Sequence, residues 1–109
     1  MENTLSPIAK TIIDQINYND CCALNAWGAS NFSSLLPSKE FQGGIKFSVD
    51  GVEFKGIVKI ELRWVDDYLV SFIRNGRLQH QVKHVYHEAL VDVIDYVEGK
   101  KLSGNVNYK

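Results

Sequence analysis

The chain has little of what marks a specialised protein. It has two cysteines in 109 residues, and they are adjacent, Cys21 and Cys22. Vicinal cysteines rarely bridge each other, and two make no disulfide framework, so a stapled secreted fold is excluded. A reducing cytoplasm is the expected compartment. No apolar run approaches the roughly 20 residues of a membrane span. The start, MENTLSPIAK, lacks a basic stretch followed by an apolar core, so no secretory signal is expected. Neither charge dominates: 12 basic and 13 acidic residues give a formal net charge of -1. An argument for nucleic acid or an anionic membrane must therefore be local. There is no internal repeat and no linker, and the length suits one domain with a modest core. The predicted domain spans residues 1–99, with 100–109 a flexible tail.

What is present is ordinary for a globular protein, with 45% hydrophobic and 23% charged residues. The stretch from Ile45 to Val85 reads as an antiparallel meander. Asp50-Gly51 and Asn75-Gly76 have the chemistry of type I′ hairpin turns, because both pairs tolerate positive φ. Asp66-Asp67 is the middle turn and lacks a glycine. Three two-residue turns would pair Phe47 with Phe54, Val49 with Val52, Trp64 with Leu69, Ile60 with Ile73, Ile73 with Leu78 and Leu69 with Val82. With Ile45, Val58 and Leu62, these residues make one apolar face.

Ser6-Pro7 predicts a helix start, with Ser as N-cap and Pro in the first turn. Ile8, Ile12, Ile13 and Ile16 follow at helical spacing. Residues 21–27 fit a short helix ending at Gly28, with a strand as the competing reading. Residues 28–44 are rich in Gly, Ser and Pro and read as a loop anchored by Phe32, Leu35, Leu36 and Phe41. Tyr86 to Glu98 predicts a C-terminal helix burying Val85, Ala89, Leu90, Val93, Ile94 and Val97, with Gly99 as its stop and Lys100 and Lys101 beyond it. The expected fold is α+β. A three- to four-stranded antiparallel meander carries an N-terminal and a C-terminal helix on one face.

Few residues suggest chemistry. His80 and His84 fall on one side of a strand but about 13 Å apart, too far to share an ion. His87 and Glu88 follow at the strand–helix junction without making a metal set. Cys21 and Cys22 lack a Cys-x-x-Cys context and read as small buried residues. Asp66-Asp67 belongs to a turn, and Asp92 and Asp95 to a solvated helix face. Gly43-Gly44 lacks the following Lys-Ser of a phosphate loop. No catalytic residue, metal or cofactor is expected.

The second sheet face offers the one surface of interest. In the two-residue register it gathers Tyr68 and Phe72 among Lys59, Arg63 and Lys83. Aromatics flanked by cations suit single-stranded nucleic acid, through base stacking and phosphate contact. Three alternatives stand beside that reading: coverage by residues 28–44, a homodimer interface, or a three-residue turn at Asp66-Asp67. The last would place Tyr68, Val70 and Phe72 in the core. The leading expectation is a small non-enzymatic interaction protein that presents a sheet face or edge to a protein partner or to itself. A nucleic-acid module is the alternative, and no membrane partner is expected.

Gly28-Ala29-Ser30-Asn31-Phe32, Gly44-Ile45-Lys46-Phe47, Val58-Lys59-Ile60-Glu61-Leu62, Asp67-Tyr68-Leu69-Val70-Ser71-Phe72 and Val85-Tyr86 occur in that order. The series resembles the pattern G-A-x-N-F, G-L-x-F, V-x-I-x-L, D-x-Y-x-V-x-F, V-Y of small uncharacterised bacteriophage and prophage proteins. It departs at Asp67, which directly precedes Tyr68, and at Trp64. The resemblance spans residues 24 to 97. It implies a mobile-element origin and a strand, rather than a helix, before Gly28.

Overall fold

The structure, a computed structural model, describes residues 5–98. It is an α+β fold in two layers. Five antiparallel strands form one sheet in the order β1-β2-β3-β4-β5, and the helical segments cover one of its faces. The strands are β1 (Ser30–Leu35), β2 (Phe41–Asp50), β3 (Lys55–Arg63), β4 (Tyr68–Arg74) and β5 (Arg77–Val85). The sheet therefore has one strand more than the upper expectation. Residues 28–44 are not a loop throughout: they hold all of β1 and the beginning of β2. The polar run SNFSSL pairs with β2 through a register shift, so neither alternation nor hydrophobicity announces it.

The N-terminal helix α1 (Pro7–Asn19) starts as its sequence dictates. Ser6 Oγ accepts a hydrogen bond from Ala9 N–H at 3.1 Å, and Pro7 occupies the first turn. Ala9, Ile12 and Ile16 are buried against the sheet. Residues 21–27 contain a helix, α2 (Ala23–Ala26), and not the strand that the phage-protein resemblance implied. It brings the Trp27 ring parallel to Phe47, 6.5 Å between centroids.

The three hairpins follow three different rules. At Asp50-Gly51 neither residue has a positive φ, and β2 pairs with β3 from Asp50 opposite Lys55, leaving a four-residue loop, 51–54. Glu53 and Phe54 N–H groups both donate to the Val97 carbonyl, at 2.9 and 3.2 Å. A Cβ on Gly51 would collide with Val97, so this glycine is required by close approach and not by turn conformation. Phe47 thus faces Val58 rather than Phe54, and Val52 is exposed. The change is an even number of residues, so the inward set of β2 and β3 is kept.

At the second hairpin the loop is odd. Asp66 takes φ 68° and donates from N–H to the Arg63 carbonyl at 2.9 Å, while Arg63 N–H donates to the Asp67 carbonyl at 2.8 Å. This is a three-residue hairpin loop, 64–66, with a left-handed third residue. The odd count reverses β4. Tyr68, Val70 and Phe72 point into the core, whereas Leu69 and Ile73 point away and Trp64 is exposed. The exchange buries Tyr68, Val70 and Phe72 in place of Trp64, Leu69 and Ile73, a gain of one aromatic ring in the core.

The third hairpin forms as its sequence predicts. Asn75 and Gly76 have φ 54° and 76°, and Ile73 faces Leu78. Two bulges then follow in β5. Phe72 faces His80, which leaves Gln79 extra, and Tyr68 faces Val85, with His84 extra at φ 57°. Leu78 faces the outward Ile73 and is exposed, whereas the first bulge restores the inward parity, so that Val82 faces Val70 and stays inside with Val85.

The C-terminal segment is broken rather than one helix. A 3-10 turn (His87–Ala89), α3 (Leu90–Ile94) and a second 3-10 turn (Asp95–Glu98) follow each other. Leu90, Val91, Val93, Ile94 and Val97 are all buried. Asp95, expected on the solvated face, instead accepts a hydrogen bond from Trp27 Nε1 at 2.9 Å. The predicted stop at Gly99, with Lys100, Lys101 and the tail, lies outside the described residues.

Candidate functional site

Because the helical layer takes one face of the sheet, the other is left open. Strand alternation and register assign its members in rows. Lys46, Lys59, Ser71 and Gln81 lie opposite one another across β2 to β5. Ser48, Ile57, Ile73 and Leu78 form the row beside them, and Gly44, Glu61 and Leu69 the row on the other side. Gln81 Nε2 donates to Ser71 Oγ at 3.0 Å. Lys59 Nζ stands 4.0 Å from Glu61 Oε1. Lys46 and Lys83 have no ion-pair partner among the described residues.

At the end of the face nearest the second hairpin there is an open hollow of about 430 Å³. Phe41, Trp64, Val65 and Leu69 supply its apolar wall, Arg63 and Lys83 its cations, and Glu40 and Gln81 complete the rim. The odd hairpin loop builds this feature. It throws Trp64 and Val65 outward, 59% and 65% exposed, and Gln42 holds the loop by donating to the Arg63 carbonyl and to Asp66 Oδ1, each at 3.0 Å. Behind it lies Asp67, buried at 3% exposure. Its Oδ1 is 2.8 Å from Arg63 Nε and its Oδ2 3.1 Å from His84 Nδ1. The two groups lack hydrogen-bond alignment, so the buried carboxylate holds the Arg63 side chain at the edge of the hollow by charge alone.

The five residues expected to bind together are divided by the sheet. Lys59, Arg63 and Lys83 belong to the open face. Tyr68 and Phe72 are on the other side, 4% and 0% exposed, so neither ring is available to stack on a base. Tyr68 Oη donates to Gln15 Oε1 at 2.6 Å, and burial pushes its phenol above the ordinary value of 10.0. Phe72 meets Phe54 and Tyr96 edge-on, at 5.6 and 5.0 Å between centroids. Sequence reasoning missed Phe41, Trp64 and Leu69. The signal for Trp64 was its place immediately before a turn, where a large apolar residue has no strand neighbour to cover it.

The other candidates are not brought together. The His80 ring lies against Phe72 and Tyr96, at 5.7 and 5.2 Å. His84 turns to Asp67, and His87 Nε2 stands 4.0 Å from Glu88 Oε2. Among the described residues no three of His, Cys, Asp and Glu converge on a common point. Cys21 and Cys22 are exposed, not buried as their size suggested, because the turn that holds them projects from the helical layer. No helix among the described residues is long and apolar enough to cross a membrane.

Comparison with protein-family models, with curated proteins and with solved structures gives no match. The functional reading therefore rests on the geometry of the open face.

Proposed function

We propose that this chain is a small non-catalytic binding module whose open sheet face receives a protein partner with an acidic, apolar contact surface. One observation carries the reading: Lys46 stands directly opposite Lys59 across β2 and β3. Like charges so placed destabilise a sheet by a few tenths of a kcal/mol to about 1 kcal/mol. Glu61, 4.0 Å from Lys59, offsets part of this, and Lys46 has no such relief. An acidic partner would supply it. Around the lysines the half-buried Ile57, Leu69 and Ile73 and the exposed Trp64 give apolar contact area, and Trp and Arg are the residues that most often anchor interfaces.

The same charges argue against a second copy. A two-fold, face-to-face dimer would bring the cationic patch of one copy, Lys46, Lys59, Arg63 and Lys83, over that of the other. The β5 edge is a poor alternative, since two bulges interrupt its line of backbone groups. Nucleic acid is the weaker reading, because the two central rings point inward and leave Trp64 and Phe41 at one corner. A mobile-element origin, taken from the phage-protein resemblance, belongs to the same proposal.

The test is an amide-shift titration of labelled protein with peptides rich in Asp, Glu, Leu and Phe, and separately with mixed single-stranded oligonucleotides. The proposal expects saturable peptide shifts at Lys59, Arg63, Trp64, Leu69 and Lys83 that weaken with salt and are lost in Lys46→Glu. Shifts confined to the helical layer, or produced by oligonucleotides alone, overturn it. So does a dimer in sedimentation whose interface covers the open face.

A further inference from the structure

Immediately after α1 the chain makes a tight turn whose two central residues are the cysteines. Ala23 N–H donates to the Asp20 carbonyl at 3.1 Å, and Cys22 N–H donates to Asp20 Oδ1 at 3.0 Å. Both thiols are exposed, and their Sγ atoms lie 3.8 Å apart. We propose that Cys21 and Cys22 form a two-thiolate site for a thiophilic d10 cation of the zinc or cadmium class.

The spacing is the first argument. Two zinc–thiolate bonds of about 2.3 Å opening at the tetrahedral angle separate their sulfurs by about 3.8 Å. The pair already stands at that distance, so capture of an ion needs no backbone movement. Charge is the second argument. The Asp20 carboxylate, whose Oδ1 accepts from Cys22 N–H at 3.0 Å, sets a negative charge beside the sulfurs that draws a dication to them. The balance is one M2+ and two thiols giving one dithiolate complex and two released protons. Soft thiolate donors favour such ions over magnesium or calcium. No third His, Cys, Asp or Glu completes a set among the described residues, which leaves two positions of a tetrahedral ion for water or for the thiols of a second copy. The site does not involve the open sheet face and is independent of the function proposed for it.

The experiment titrates Cd2+ alone into the chain kept reduced by a phosphine. Sulfur-to-cadmium charge-transfer absorption and proton release in weak buffer are followed together. The proposal expects saturable absorption with two protons released per ion. Cys21→Ser and Cys22→Ser should each weaken binding at least ten-fold, and the double variant should abolish the absorption. Since both side chains are exposed, these variants keep the fold. One ion per two chains, with four protons released per ion, also supports the site, a second copy filling the open positions. Absorption that is absent from the native chain or retained by the double variant overturns the proposal. So does Cd2+ binding that instead shifts only the resonances of His80, His84 or His87.

Discussion

Phe72→Ala and Trp64→Ala, compared in one experiment, test the odd hairpin loop on which the open face depends. Phe72 has no accessible surface and makes edge-on contacts with Phe54 and Tyr96. Truncating a buried aromatic to alanine costs about 3–5 kcal/mol, because the lost transfer energy is joined by a cavity. The two ring contacts, each about 0.5–1.5 kcal/mol beyond burial, place this site near 4 kcal/mol. A domain of this size has about 5–15 kcal/mol in all, so the variant loses a large share of its stability. With a urea slope of about 2 kcal/mol per M, the unfolding midpoint falls by roughly 2 M. Trp64 is 59% exposed, and its truncation should stay within about 0.5 kcal/mol. Its midpoint then moves by less than about 0.3 M. A two-residue turn at Asp66-Asp67 would reverse the order, since it buries Trp64 and exposes Phe72. A Trp64→Ala midpoint that drops as far as that of Phe72→Ala would refute the register. Phe72→Leu keeps the comparison measurable where the alanine variant does not fold.

Tyr68→Phe removes the hydrogen bond to Gln15 and should cost about 1 kcal/mol in the same assay. The pH dependence has a defined sign, because burial raises the Tyr68 phenol above 10.0 in the folded chain. Its contribution is full below the unfolded value and is lost as pH rises through the higher folded value. Urea midpoints measured between about pH 9 and 11 should therefore fall more steeply in the native chain than in Tyr68→Phe. Gly51→Ala drives a Cβ into Val97 and should cost about 2 kcal/mol in thermal unfolding, as overpacking does. Lys46→Gln removes the like-charge pair with Lys59 and should raise stability by a few tenths of a kcal/mol while weakening acidic peptides.

What was legible in the sequence had a local cause. Ser6-Pro7 starts α1 because capping acts within one turn, and Asn75-Gly76 makes its hairpin because both residues accept positive φ. The inward set Ile45, Phe47, Val49, Val58 and Ile60 survived a wrong loop length, because the error was even. What was not legible depended on distant partners or on one residue. Gly51 is glycine because of Val97, 46 positions later, which no local turn rule contains. The orientation of β4 turns on a single additional loop residue at Asp66, and aspartate, unlike glycine, does not advertise a left-handed conformation. The site followed the same division. Lys59, Arg63 and Lys83 were visible as surface charges, whereas Trp64 was assigned to the core along with the wrong face of β4.

The order of strands in the sheet is the order of strands in the chain, and this bears on how the protein comes to be made. Each strand pairs with its neighbour in sequence through a short loop, so each pairing loses little chain entropy on closure. The seal over the inner face is different. Trp27 finds Asp95 across 68 positions, Asn19 finds the His87 carbonyl across another 68, and the loop 51–54 is held by Val97. On a ribosome the meander has every partner it needs before residues 87–98 emerge. During that interval Phe54 and Phe72 have a sheet beneath them and lack the Tyr96 ring that packs on both. A nascent chain halted there would present a ready surface to a chaperone, and release of the last segment would withdraw it.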